Sequence, residues 1–576
     1  MLRKLPIAGA LFALLASSAL AATALRGGAR DVSQTTSELL PGVTYTRQVE
    51  FTPRGPVVLD VVTAPRPDGS TYTLAPVLSN EMILGTETLT ALEKRLSGSA
   101  TVVGVSGDYF ATATGAPSGI LLRDGALDKA PLATRSSLGI AADGTLAAAR
   151  VAYKGTWQGS GQRRPVDLNA APAKGHATLY TPAYGPTTPD EGGVVEVVLP
   201  SFPAAAPNRP LTGTVGQVVQ TGLTPIPAGG AVLVARGQQA QALTADAPVG
   251  QQVEIRLTLT PNSWSGMVSA LGGGPLLVQD GKPVFDAKES FAAAIVNRRN
   301  ARSAVGRLAD GRILLVTVEG GRASYSVGMT SYELAVAMKR LGAVTAIGLG
   351  SGTQAGMAFD GTLLTRPSGA AEAPVSDALV LSYTGVYAAP PAVAVLSPNG
   401  DGVDDTQTFA YKLVRPSHVV ATLTGPGSAS IQLADDDEQP GVHTLAWDGK
   451  GAGEGAWRFS VTAADDAGKT TTARRDFSLD DTLAGLAVAR GSSGGAAATF
   501  QLTRSASVVV TVERRNGISL GTLFSGTLGP GAHTETWDGK SGGRAVPNGG
   551  YQVRVEATSS IGKVSLVAPF AVPLPR

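Results

Sequence analysis

Pro440-Gly441-Val442-His443 leads to Trp447-Asp448-Gly449-Lys450, and the same order returns as Pro530-Gly531-Ala532-His533 leading to Trp537-Asp538-Gly539-Lys540. An alternating run follows each block: Trp457, Phe459, Val461 and Ala463 in the first copy, Tyr551, Val553, Val555 and Ala557 in the second. A second run precedes each, Tyr411 to Arg415 with Val419-Val420, then Phe500 to Arg504 with Val508-Val509. A period of two is that of a strand with one face buried, and Gly/Pro turns at this spacing predict two small β-sandwiches. Their bounds are 392–479 and 482–574, set by Pro390-Pro391 and Asp480-Asp481. Trp447 and Trp537 are read as core residues, although an indole ring also stacks on sugars.

The first module opens on a loop in which Asn399, Asp401, Asp404 and Asp405 crowd hard oxygen ligands together, a set suited to calcium. The other reading of those residues is an Asx-rich turn that caps its own backbone. Both modules resemble the immunoglobulin-like domain of flagellar hook-capping proteins, which is also appended to secreted bacterial enzymes. The resemblance implies a spacer or an attachment to the cell envelope.

Upstream, residues 22–388 mix helix and strand signals. Leu89, Leu92 and Leu96 share one helical face, and Thr330 with Glu333 makes a capping box ahead of Leu334, Met338 and the stop at Gly342. Buried-type strands at Thr101–Val105, Ile313–Val318 and Val344–Leu349 each run into a polar, Gly-bearing loop. If they lie parallel in one sheet, those loops share its carboxyl edge, where ligands of α/β sheets bind. Residues 150–265 are strand-rich and read as an inserted β subdomain. The expected fold is therefore α+β, a mixed sheet-and-helix domain followed by two all-β sandwiches.

Arg3-Lys4, the apolar run Leu5–Leu15 and Ala19-Leu20-Ala21 form a secretory signal over residues 1–21, so the protein is expected to be secreted or periplasmic, at the cell envelope. No later stretch has the length of a membrane span. The whole chain carries 47 Lys+Arg against 45 Asp+Glu, and the signal removes two of the cations, which leaves no electrostatic footprint for nucleic acid. The absence of cysteine excludes disulfides, thiolate clusters and a Cys nucleophile, and four histidines leave little room for multi-His zinc chemistry.

Gly104 to Phe110, Gly115 to Gly119, Gly272-Gly273-Gly274-Pro275, Arg302 to Gly306 and Asp310-Gly311-Arg312 form an ordered series. It continues through Thr317 to Arg322, Ser326 to Thr330 and Met357 to Gly361. This series, spread through residues 40–388, resembles the phosphodiester glycosidase family, which includes the enzyme that uncovers mannose 6-phosphate. The resemblance implies a glycosidase acting on a carbohydrate or glycosyl phosphodiester and needing no cofactor.

Two positions depart from the family. Ser106 stands where it usually has Asn. Gly350-Ser351-Gly352-Thr353 occupies its Asp-Gly-Gly-Gly stretch, so Gly350 replaces an acid. Cleaving a sugar-1-phosphodiester needs a cation for the phosphate and a carboxylate for the attacking water. On that basis Asp108 is the candidate base and Glu319, with Arg322, a second acid or a structural ion pair. Arg302 is the candidate phosphate fork. Ser106, Gly107, Arg322 and Gly350 to Thr353 complete the expected substrate site, the glycines offering backbone N–H groups. The competing expectation is a catalytically silent glycan-binding or architectural surface protein.

Overall fold

The computed structural model describes residues 32–284, 288–490 and 495–572, so the amino-terminal signal lies outside the described residues. Strands make up 53% of the chain and helices 9%, which overturns the α+β expectation: the protein is mostly β. The two expected helices do form. Leu89–Leu96 is capped by the Thr88 side chain, and Ser331–Arg340 by the reciprocal bonds of Thr330 and Glu333. They are outnumbered because the other apolar runs close as antiparallel ladders instead of crossing over through helices.

The chain divides into two compact units, one ending at Thr384 and one beginning at Gly385. The first is built on an antiparallel sheet of eight strands. In spatial order they are Val32–Leu40, Val43–Thr52, Gly55–Ala64, Ile313–Val318, Arg302–Leu308, Ala343–Ser351, Leu276–Gln279 and Lys282–Pro283. Helix Ser331–Arg340 buries Leu334 and Met338 against Ala304 and Val316 of this sheet, and each such side chain stabilises by about 1.5–3 kcal/mol.

A five-stranded antiparallel sheet meets it, in the order Thr362–Leu363, Met357–Phe359, Thr101–Ser106, Asp377–Tyr383, Tyr72–Leu78. The three strands expected to lie parallel in one sheet are thus divided. Thr101–Ser106 belongs to the smaller sheet, and the antiparallel strand Arg302–Leu308 separates the other two. Their carboxyl ends converge nonetheless, since the Gly350 amide donates to the Gly107 carbonyl at 2.7 Å.

Strands from Ala152–Gln158 to Gln252–Thr260 form a second eight-stranded sheet around Trp157, Leu233 and Ile255. The second unit holds two sandwiches with separate cores, one around Phe409, Trp457 and Phe459, the other around Phe500, Val510 and Val555. Trp537 is buried with its indole N–H on the Lys540 carbonyl at 2.9 Å, and Trp447 packs on Trp457 with ring centres 4.8 Å apart. In each copy the His of the repeated block meets a turn carbonyl four residues earlier, His443 that of Gln439 and His533 that of Gly529.

Candidate active site

Where the two sheets of the first unit meet, Ser106 ends its strand buried, its Oγ 2.8 Å from Ser303 Oγ across the interface. The Gly356 amide donates to the same hydroxyl at 3.3 Å. Among the described residues no base is hydrogen-bonded to the Ser106 hydroxyl, the contact that would activate it as a nucleophile. Gly107 donates to the Asp377 carbonyl at 3.0 Å, and a Cβ at Gly107 would overlap the Asp377 carboxylate.

Asp108 follows, only 5% exposed. Its backbone N–H donates to Asp377 Oδ1 at 2.7 Å, and its own carboxylate accepts the amides of Tyr109 at 2.7 Å and Gly119 at 2.5 Å. Burial pushes the Asp108 pKa up to about 6, against the pull of those amides and of the Arg135 charge. Asp377, fully buried with the Ser376 hydroxyl on its second oxygen, is raised to about 7 by burial and by the Asp108 charge. The sequence reading passed over Asp377. Its signal was a lone acid at the head of the apolar run Ala378 to Leu381.

Arg302 is buried beside this loop with its fork turned to the backbone: Nε donates to the Met329 carbonyl, and Nη2 to the carbonyls of Ile295 and Arg298 at 2.6 and 2.8 Å. Ser351 reaches the Tyr109 hydroxyl, and Thr353 lies exposed at the rim. The Gly350 and Gly352 amides are taken by the carbonyls of Gly107 and Ala301, those of Gly272 and Gly274 by Ile120 and Gly348. A Cβ at Gly350 would sit 3.2 Å from the Gly107 carbonyl, so an acid there would face the Ser106–Asp108 loop.

Glu319 and Arg322 do not form the expected pair. Glu319 bonds Arg47 Nη1 and the Arg366 amide, both at 3.0 Å, whereas Arg322 Nη2 donates to the Gly369 carbonyl at 2.9 Å. The cation of Glu319 comes instead from a strand far away in the chain, because Arg47 pairs across to Asp60 and Asp60 to Thr317. Arg47 Nη1 also bonds Asp60 at 2.9 Å, while Asp60 Oδ2, Glu319 Oε2 and Thr317 Oγ1 are buried without a hydrogen-bond partner among the described residues. Thr317 in turn pairs with Ser303, so a polar row connects this cluster to Ser106. Burial pushes Asp60 up to about 8, the charge of Arg47 opposing and that of Glu319 assisting.

In the Asn399–Asp405 loop, Asp405 accepts the amides of Gly400 and Gly402 at 2.7 Å, and Asp401 accepts that of Val403 at 2.8 Å. No group of three or more His, Cys, Asp or Glu able to hold a metal occurs among the described residues.

Residues 205–382 match the phosphodiester glycosidase family, and residues 487–560 match the FlgD Ig-like domain. These segments are similar to a phosphodiester glycosidase domain and to an immunoglobulin-like domain. An uncharacterized SPbeta prophage-derived protein of Bacillus subtilis (strain 168) is 30% identical over 118 residues, 20% of this chain and 18% of that relative. A hypothetical protein from Synechocystis shares the fold at 25% identity with a TM-score of 0.51, over 61% of this chain and 64% of its own. The catalytic domain of zebrafish N-acetylglucosamine-1-phosphodiester alpha-N-acetylglucosaminidase aligns at 14% identity and a TM-score of 0.33, over 61% of this chain and 87% of its own. The chain thus spans a fraction of the curated relative and under two thirds of the Synechocystis protein. No helix among the described residues is long and apolar enough to cross a membrane.

Proposed function

We propose that this protein is an exported phosphodiester glycosidase that hydrolyses a sugar-1-phosphodiester, or a related glycoside, of envelope or extracellular polysaccharide. The observation that carries the reading is the family match over residues 205–382, which contains Arg302, Glu319 and the Gly350 loop. Phosphate is a weakly basic leaving group, so departure needs charge neutralisation more than an acid, and the water needs a base. A carboxyl raised toward neutrality, as Asp108 is, has the proton affinity for that second task. Export rests on the amino-terminal signal, and the sandwiches serve as spacer or envelope attachment.

The test is mass-spectrometric detection of sugar released from a panel of glycosyl-1-phosphodiesters by the mature protein and by Asp108→Asn, both checked by circular dichroism. Release by the wild type that vanishes in a folded Asp108→Asn supports hydrolysis with Asp108 at its centre. Equal release by both keeps the enzyme and discards Asp108 as base. No release across the panel rejects the enzyme.

One observation favours a second reading, a silent glycan binder: the position facing Ser106–Asp108 at residue 350 bears no carboxylate. Glycan-array binding by a folded protein that releases no sugar is the outcome expected of it.

A further inference from the structure

A cation that the sequence reading did not single out lies against the ring of Tyr109, the chain neighbour of Asp108. Arg135 Nε donates to the Ser290 carbonyl at 3.1 Å, and its guanidinium lies 4.2 Å from the Phe291 ring centre and 5.5 Å from that of Tyr109. Its Nη1 is buried with no hydrogen-bond partner among the described residues, while Arg135 as a whole is half-buried.

Arg135 forms no ion pair among the described residues, although the Asp108 charge reaches it. Asp108 is bonded by the Tyr109 and Gly119 amides, and Glu289 by the Ser136 amide, the Ser136 hydroxyl and the Leu276 amide. A buried guanidinium N–H without an acceptor is costly, and what the geometry lacks is an external anion with several oxygens. The Tyr109 and Phe291 rings, 5.3 Å apart, add an apolar wall of the kind on which a sugar face packs. Arg302 turns its Nε and Nη2 to the carbonyls of Met329, Ile295 and Arg298.

We propose that Arg135 holds the phosphoryl group of the substrate, with the attached sugar lying against Tyr109 and Phe291. The proposal rests on the phosphodiester glycosidase reading and names the groups that hold its substrate. The experiment is calorimetric titration of the full mature chain with inorganic phosphate, a hexose 1-phosphate and the methyl diester of that hexose 1-phosphate. Arg135→Met is expected to weaken binding by about tenfold or more, as loss of a charge-assisted contact does, while Arg135→Lys retains most of it.

Circular dichroism checks that each variant is folded. Unchanged binding by folded Arg135→Met overturns the proposal, as does a folded wild type that binds none of the three probes. If that wild type still releases sugar from the phosphodiester panel, only the subsite falls and the glycosidase stands. If the probes bind through Arg135 and no sugar is released, the subsite stands and hydrolysis falls. Preference for the diester over the monoester identifies the uncleaved phosphodiester as the ligand, and the reverse a free sugar phosphate.

Discussion

Gly107 and Asp377 interlock: the glycine leaves the space that the carboxylate fills, and the carboxylate fixes the Asp108 amide at 2.7 Å. Gly107→Ala is expected to cost about 2–4 kcal/mol by forcing the two apart, read as a lowered midpoint for the first unit's thermal transition. Asp60 gives a pH test. Its folded pKa of about 8 lies above the ordinary carboxyl value, so its contribution to stability is complete in acid and is lost as pH rises through that value. The neighbouring Glu319 charge assists that rise, and Asp60 keeps one buried oxygen without a hydrogen-bond partner among the described residues. Asp60→Asn is therefore expected to flatten the decline of the melting midpoint between about pH 5 and pH 8, a slope that the wild type keeps. Asp108 could be read from the sequence because a carboxyl in a Gly-flanked loop after an apolar strand is a local pattern. Asp377 could not be joined to it, because the bond between them spans 269 residues.

At the scale of elements, the helix Ser331–Arg340 was legible because its cap, its apolar face and its stop are all local. Thr330→Ala removes the hydroxyl that accepts the Glu333 amide at 3.1 Å and is expected to cost about 1 kcal/mol, seen as a lower transition midpoint by calorimetry. Strand adjacency was not legible. Ile313–Val318 and Ala343–Ser351 run in the same direction on either side of the helix Ser331–Arg340 in the chain, as expected, but Arg302–Leu308 lies between them in the sheet. Arg302 also ties down a short segment through the Ile295 and Arg298 carbonyls. Arg302→Met is expected to raise amide exchange across residues 295–300 by about tenfold while leaving exchange in the helix Leu89–Leu96 unchanged. Equal exchange in both proteins would show that the segment is held by other contacts.

For the whole molecule, the sandwiches were the most readable part, since an internal repeat with period-two alternation constrains sheet, turn and core together. The first unit was misread as α+β because pairing between distant strands leaves no trace in a local window. Calorimetry of the full chain is expected to resolve at least two transitions, because the two compact units have cores of their own. A fragment beginning at Gly385 should keep only the transitions of the sandwiches. The pairing of the first unit also has a kinetic consequence. Asp60 finds its strand partner at Thr317, and Leu78 finds its partner at Asp377. Neither central sheet can close until almost the whole unit is available, so contact order is high and folding slow. A chain still being synthesised or threaded across a membrane would remain open in this region, its edges exposed to chaperones, and would close only when its last strand, Asp377–Tyr383, arrives.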